Sequence, residues 1–176
     1  MSKNQEINEK NQVSEAQIKE FVLNRFREVK ESKQIKDLIK FHTANKYMLM
    51  AHDQIVLKIL GNIVANKEKN QLEDIFESYE KYLNESFKKE PTIKTHCNVL
   101  LHILGFFSAD LNKFEKEQFQ KLIQEYRDGK ITIGYILSEI NPIIGQFDKK
   151  YLAGQTYFLL YADSSTGNLF DTYCKE

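Results

Sequence analysis

Apolar residues recur along most of the chain at intervals of three and four, the spacing that places them on one face of an α-helix. The first apolar stripe follows Ser14, which begins a capping-box pattern, and predicts a helix to about residue 30. A second stripe begins at Ile35 and can run on through Met50. Because such stripes cover residues 14–161 without strand-like alternation, the predicted fold is an all-α, single-domain bundle of about seven or eight helices.

Residues that favour helix ends divide the rest of the sequence into separate predicted helices. The predicted N-caps are Asp53, Asn70, Thr92, Asn112 and Thr132. The helix after Asp53 has the widest apolar arc, which predicts that it is centrally buried. Gly129 is placed to end a helix in a left-handed conformation. Pro142 is predicted to break the chain after a short helix, and a last helix is expected from about Asp148 to Tyr161.

The two ends of the sequence lack this periodicity, so residues 1–13 are predicted to be a flexible tail and residues 162–176 an irregular one. No stretch resembles a signal-peptide core or a membrane span, which predicts a cytoplasmic protein that does not enter a membrane. Cys97 and Cys174 are the two cysteines. Two thiols argue against a disulfide framework and against a zinc or iron–sulfur site built on three or four of them, so no cofactor is predicted.

The charge is balanced overall, with 25 Lys and Arg against 25 Asp and Glu. This balance argues against a global field that attracts nucleic acid. Residues 14–69 nevertheless hold eleven basic and seven acidic residues, whereas residues 70–91 hold three basic and six acidic ones. The sequence therefore predicts a mildly basic side and an acidic side.

Several polar residues fall inside apolar stripes when the sequence is projected at about 100° per residue. If the helix after Ile35 is unbroken, His42 and Lys46 lie in the middle of its inward face. His96 also lies on an apolar face, with Asn98 and His102 at its boundary. Since a buried ammonium without a partner costs several kcal/mol, something polar must meet Lys46.

Two explanations of these positions stay open. In one, Lys46 reaches past its neighbours to water while the histidines bond to backbone carbonyls. In the other, the two stripes flank a polar cleft that admits an anion such as a phosphate. Metal binding is disfavoured because neither His42 with His52 nor His96 with His102 has the i, i+4 spacing of a helical zinc motif. Nucleophilic catalysis is disfavoured because Cys97 projects about 100° away from His96.

Two longer segments, FHTANKYMLMAH (41–52) and HCNVLLHILGFF (96–107), closely resemble the signature stretches of the YbgA-like family. The likeness continues through YRDGKI (126–131) and YLAGQTYF (151–158). The family pattern carries over onto His42, Lys46, His52, His96, Asn98, His102, Gly105, Tyr126, Arg127, Tyr151 and Gln155. The sequence departs from the pattern at FLLYAD (158–163), where the family commonly has a proline-containing ending.

The resemblance implies a helical domain that occurs alone or fused to a thiouracil-desulfurase-like domain. In fused proteins the partner removes sulfur from thiolated uracil or from thiouridine in transfer RNA, and the helical part is thought to hold the RNA. By this resemblance we expect a non-catalytic RNA-binding accessory, for transfer RNA or similar structured RNA, that works with a desulfurase-like protein in trans. The chain lacks the cysteines with which the desulfurase-like domain binds its cluster.

Two other hypotheses remain beside RNA binding. The chain could be a small-molecule receptor or an enzyme in which His42 or His96 acts as acid or base and Lys46 holds an anion. It could also be a protein-interaction adaptor, for which a large exposed apolar patch would be the sign. The sequence does not predict an oligomeric state.

Overall fold

A computed structural model of the chain describes residues 13–147 and 154–162, and these residues form nine helices and no strand. The helices are α1 (Glu15–Ser32), α2 (Ile35–Ala44), α3 (Lys46–His52), α4 (Gln54–Ala65), α5 (Leu72–Ser86), α6 (Ile93–Phe107), α7 (Lys113–Arg127), α8 (Ile133–Gly145) and α9 (Thr156–Tyr161). The all-α prediction is confirmed, with slightly more helices than expected. No helix in the described ranges combines the length and apolarity needed to cross a bilayer.

Most helix starts lie where short polar side chains were predicted to cap them. The Asp53 carboxylate accepts hydrogen bonds from two backbone N–H groups in the first turn of α4. Asn112 and Glu115 form a reciprocal capping box at the start of α7. Thr92 and Thr132 accept N–H bonds at the starts of α6 and α8. These caps satisfy donors that lack a partner within the helix.

The end of α7 is also as predicted. Gly129 has a φ of 70°, which a side chain would make unfavourable. The N–H groups of Gly129 and Lys130 donate to the carbonyls of Tyr126 and Glu125. This pair of bonds is a Schellman motif and closes the helix.

The predicted continuous helix over residues 35–50 was wrong, because the chain divides into α2 and α3 at Asn45. Asn45 has φ −101° and ψ 5°, outside the helical range. Its side-chain amide donates to the carbonyl of Phe41 at 2.8 Å. A buried polar side chain thus bonds to the preceding turn and changes the direction in which the following residues point.

Two other boundaries differ from the prediction. Helix α5 begins after Gln71, and the Asn70 N–H donates to the Asn66 side chain instead of starting the helix. Helix α8 continues through Pro142 to Gly145. Pro142 is exposed, so the carbonyl that loses its donor lies on the solvent side of the helix.

The described residues form two compact units, one of residues 15–95 and the other of residues 13–14, 96–147 and 154–162. In the first unit α2 packs on α1, and α4 packs on α2, α3 and α5. Its centre is aromatic: the Phe26 and Tyr79 rings are stacked with centroids 5.6 Å apart, and Phe41 lies edge-on to Tyr79 at 6.0 Å. Aromatic pairs of this geometry stabilise a core beyond the area they bury.

In the second unit α8 packs on α7 and α9. Its fully enclosed side chains include Phe119, Ile136, Leu137, Tyr157 and Phe158. The single-domain prediction is not decided by this division and stays a prediction. The predicted tails lie outside the described residues apart from Val13 and Ala162, as does the predicted helical stretch over 148–153.

Candidate anion-binding site

A histidine–tyrosine pair joins α2 to α5 at the edge of the first unit's core. His42 is half-buried, and its Nδ1 lies 3.0 Å from the hydroxyl oxygen of Tyr79. The two rings meet edge to face with centroids 5.9 Å apart. Tyr79 is fully buried and burial raises its pKa, so its hydroxyl keeps its proton at physiological pH.

The direction of this hydrogen bond determines which imidazole nitrogen carries the proton. Among the described residues, the Tyr79 hydroxyl has His42 as its hydrogen-bond partner. A buried O–H needs an acceptor, so Tyr79 donates to Nδ1. The proton of the neutral imidazole is then on Nε2, which becomes a donor directed away from Tyr79.

Gly61 on α4 leaves space beside that donor. A Cβ placed on Gly61 would lie 3.5 Å from His42 Nε2, the nearest atom that it would meet. Glycine in the interior of a helix costs about 1 kcal/mol relative to alanine, so its presence here needs a local reason. Because Gly61 has no side chain, nothing from this position of α4 covers Nε2.

Lys46 lies near the same imidazole. Burial, and then the positive charge of Lys46, lower the pKa of His42 below its ordinary value. His42 is therefore neutral at physiological pH, and the charge at this position is that of Lys46. The two side chains together offer a neutral N–H donor and an ammonium.

The projection that places Lys46 on an inward face required an unbroken helix, and the break at Asn45 removes that condition, so Lys46 reaches water as the first of the two explanations expected. Lys46 is exposed, with Nζ 5.8 Å from the centroid of the Tyr47 ring. It makes no ion pair with any residue in the described ranges. The ammonium needs no buried partner because it stays in water.

Helix α4 brings a second cation to this surface. Lys58 precedes Gly61 by three residues, so it lies one turn away on a neighbouring part of the helix. It is exposed and, like Lys46, has no ion-pair partner among the described residues. The expectation that α4 is centrally buried was wrong: Leu57 and Leu60 are buried, but Ile55 is 72% exposed. One side of α4 therefore faces solvent beside His42.

The second unit holds a similar pair in a closed environment. His96 is 6% exposed, and its Nδ1 lies 2.7 Å from the hydroxyl oxygen of Tyr157. Tyr126 and Tyr161 both lie edge-on to the imidazole. The prediction that His96 lies on an apolar face agrees with this burial. That His96 shares a recess with His42 and Lys46, which belong to the other unit, stays a prediction.

Contacts within the first unit occupy both ring nitrogens of His52. It is buried, with Nδ1 2.9 Å from the carbonyl of Met48 and Nε2 3.2 Å from a carboxylate oxygen of Glu15. Phe87 lies edge-on to the ring. Both nitrogens thus face acceptors, an arrangement that ties α1 to α3 and leaves little of the ring for a ligand.

The remaining predicted residues are spread over α6, α7 and α9. His102 and Gly105 are exposed on α6, and Asn98 is half-buried there. Arg127 is exposed in the last turn of α7, with Nη1 3.5 Å from the Gln124 side-chain oxygen. Gln155 is 2% exposed and precedes α9. Tyr151 lies outside the described residues.

Sequence reasoning missed two residues that shape the His42 site. Tyr79 was assigned only to the apolar stripe of its helix, and nothing in its spacing identifies His42 as its partner. Gly61 could have been found, because a glycine inside an apolar helical pattern signals a close approach. Tyr47 and Tyr157 could stack on a base only if they were exposed, and they are 2% and 0% exposed.

Comparisons with known proteins cover about two thirds of the chain. The model of a family described as "Protein of unknown function (DUF1722)" matches residues 46–162, a range that includes Lys46, Gly61 and Tyr79 and begins shortly after His42. The protein described as "Uncharacterized protein YbgA" from Escherichia coli (strain K12) is 29% identical over 125 residues, which cover 70% of this chain and 74% of that protein. No solved structure matches the chain significantly.

Proposed function

The chain belongs to the family described as protein of unknown function (DUF1722), and from that premise we propose that it is a non-catalytic binding module for the phosphate backbone of structured RNA. The match to YbgA confirms the resemblance drawn from the two sequence motifs. In this proposal the phosphate contacts are made by His42, Lys46 and Lys58 on α2, α3 and α4.

The observation that carries the proposal is the Nε2 of His42, which Gly61 leaves uncovered, together with an exposed Lys46 that has no ion-pair partner in the part of the chain that the structure describes. A phosphate oxygen accepts hydrogen bonds from N–H groups and is attracted by ammonium groups, so this pair of donors fits it. Because Tyr79 fixes the tautomer of the imidazole, the N–H is oriented before the ligand arrives. Preorganised donors of this kind lose less free energy on binding.

The distribution of charge supports a local rather than a global attraction. Residues 14–69, which include α1 to α4, hold eleven basic and seven acidic residues, although the whole chain is neutral. The expected affinity is therefore modest and depends strongly on salt, since phosphate contacts release counterions.

The resemblance to the YbgA-like family suggests which RNA is bound and which protein acts on it. We propose transfer RNA as the ligand, and a desulfurase-like protein that acts on thiouridine as the partner in trans. On this proposal the chain holds the RNA while the partner carries out the reaction. The site described above provides donors for holding a phosphate and is not used as a nucleophile.

The test is a salt titration of transfer RNA binding, followed by fluorescence anisotropy, for the wild type and two matched variants. Lys46→Gln is expected to weaken binding and to reduce the slope of log affinity against log salt by about one. Lys36→Gln removes an exposed lysine of α2 that lies about 120° around the helix from His42, and it should change both quantities less.

Three results would contradict the proposal. Affinity that does not fall as salt rises would mean that phosphates are not contacted. Equal losses in Lys46→Gln and Lys36→Gln would mean that binding follows total charge rather than this site. If inorganic phosphate competes as well as transfer RNA at equal phosphate concentration, the chain is a small-anion receptor instead.

A further inference from the structure

A second concave surface lies in the first unit, between the C-terminal half of α4 and α5. Its volume is about 580 Å³. Ile59, Ile63 and Ile75 contribute apolar surface to it. Ile75 is 4% exposed and the other two are half-buried, so together they form a floor rather than an isolated apolar contact. We call this surface the isoleucine groove.

Five uncharged polar side chains line the same groove: Asn62, Asn66, Asn70, Ser78 and Tyr82. The Asn66 side chain bonds to the backbone of Asn70, whereas the side chains of Asn62, Ser78 and Tyr82 make no hydrogen bond to another residue within the described ranges. The Tyr82 ring is covered by the ammonium of Lys81, 5.5 Å from its centroid, which leaves the hydroxyl as its polar end. An apolar floor with a few hydrogen-bonding groups at its edge is the usual composition of a small-ligand site.

The charges around the groove restrict what it can hold. Glu68 and Asp74 both line it, and neither has an ion-pair partner among the described residues. Lys67 is the one cation among the lining residues. The groove is therefore unfavourable for a phosphate but compatible with a neutral, flat ligand.

The exposed side of α4 connects the groove with the site at His42. Gly61 contacts His42, and Asn62 follows it around the helix by about 100°, towards the groove. Lys58 lies between these two directions, one turn before Asn62. An extended ligand that places a phosphate at His42 and Lys46 can thus follow this exposed face into the isoleucine groove.

We propose that the isoleucine groove binds an unstacked nucleobase of the RNA whose phosphate is held at His42 and Lys46. This inference rests on the proposed function and adds the part of the RNA that the protein recognises. A nucleobase has both properties that the groove requires, an uncharged flat face and an edge of donors and acceptors.

Asn62 is the group that reads the base. Its amide offers a donor and an acceptor side by side, the geometry that forms two hydrogen bonds with a base edge. The hydroxyls of Ser78 and Tyr82 each donate and accept, so they bond to any base without discriminating. The groove should consequently favour unpaired over paired nucleotides, because the edges of paired bases are already occupied.

The test uses the full-length chain and fluorescein-labelled hexanucleotides of RNA. Hexaadenylate and hexauridylate are compared with an abasic ribose-phosphate chain of the same length and charge. Base-containing chains are expected to bind at least about tenfold more tightly than the abasic chain, and Asn62→Ala should remove most of that difference. Asn84→Ala is the matched control, since Asn84 is exposed on the same helix as Ser78 and lies outside the groove lining.

The outcomes separate this inference from the proposed function. If all chains bind equally and Lys46→Gln weakens all of them, the phosphate site stands and the nucleobase site is wrong. If Asn62→Ala weakens the abasic chain as much as the others, Asn62 contacts the backbone and the inference fails. If no hexanucleotide binds although transfer RNA does, the inference fails and the proposed function stands; if transfer RNA does not bind either, both fail.

Discussion

The two units each pair a histidine with a buried tyrosine, and the pairs differ in what surrounds the imidazole. His42 bonds to Tyr79 at 3.0 Å and remains half-buried, with Gly61 next to its second nitrogen and the charge of Lys46 acting on the imidazole. His96 bonds to Tyr157 at 2.7 Å and is 6% exposed. The same two functional groups can thus serve packing in one unit and binding in the other.

What separates the two pairs is the size of their neighbours. His96 is enclosed by further aromatic rings, those of Tyr126 and Tyr161. On the α4 side of His42 stands a glycine, so no side chain from that helix position covers Nε2. The environment of a histidine in this fold is therefore set by side chains contributed from other helices. Variants of those side chains test whether the two histidines differ for this reason.

The largest expected effect is on stability in the second unit. His96→Ala removes a buried ring and its hydrogen bond with Tyr157, so the free energy of unfolding should fall by about 3 kcal/mol. Urea denaturation followed by circular dichroism measures it. If the variant keeps its stability but loses RNA binding, His96 belongs to the binding site, and the proposed difference in role between His96 and His42 is wrong.

A substitution at Gly61 should move affinity and stability in opposite directions. Gly61→Ala adds a methyl group 3.5 Å from His42 Nε2, an ordinary contact that needs no rearrangement. Helix propensity predicts a gain of up to about 1 kcal/mol in unfolding free energy. Covering the N–H should lower affinity for transfer RNA about tenfold, which fluorescence anisotropy would detect. Unchanged affinity would mean that Nε2 does not contact the ligand.

Removing one hydroxyl from each pair gives a matched comparison. Tyr79→Phe and Tyr157→Phe should each reduce the unfolding free energy by about 1 kcal/mol, since each removes one buried hydrogen bond. RNA affinity should fall severalfold only in Tyr79→Phe, because the imidazole of His42 then loses its fixed tautomer. RNA binding and urea denaturation should be measured for both variants. Equal losses of RNA affinity would show that the His42 pair and the His96 pair do not differ in their contribution to binding.

The smallest expected effect is a pH dependence of stability. The pKa of His42 is lowered by burial and by Lys46 from 6.5, so the unfolded chain binds the proton at a higher pH than the folded one. Stability is then fully present above about pH 6.5 and decreases as the pH falls below it. His42→Gln should show less of this decrease between about pH 7.5 and about pH 5.5 in urea titrations. An identical decrease in wild type and variant would assign it to other groups.

The sequence predicted the features of the fold that depend on neighbouring residues. Asp53, Asn112 and Gly129 end or begin helices because their side chains, or the lack of one, act on backbone groups within the same turn. The burial of His96 followed from the periodicity of its helix. In these cases the cause and the effect lie within a few residues of each other, so a local pattern is sufficient.

The candidate site depended on contacts that no local pattern contains. Tyr79 and Gly61 meet His42 only after α4 and α5 pack against α2, and the isoleucine groove exists only between two helices. The orientation of Lys46 did not follow from projection because the break at Asn45 depends on a side-chain bond that competes with the helix. Projection of a stripe assumes a regular helix and fails at the first irregular residue.

The break at Asn45 also determines where positive charge lies on the protein surface. A single residue with ψ near 0° rotates everything after it, so a stripe that would have carried an ammonium into the core carries it into water instead. Replacing Asn45 with a strong helix former would therefore affect more than position 45. Although neither the old nor the new side chain is charged, the substitution would turn the ammonium of Lys46 from the solvent towards the interior. Backbone geometry at one position here sets the electrostatic potential of this part of the surface.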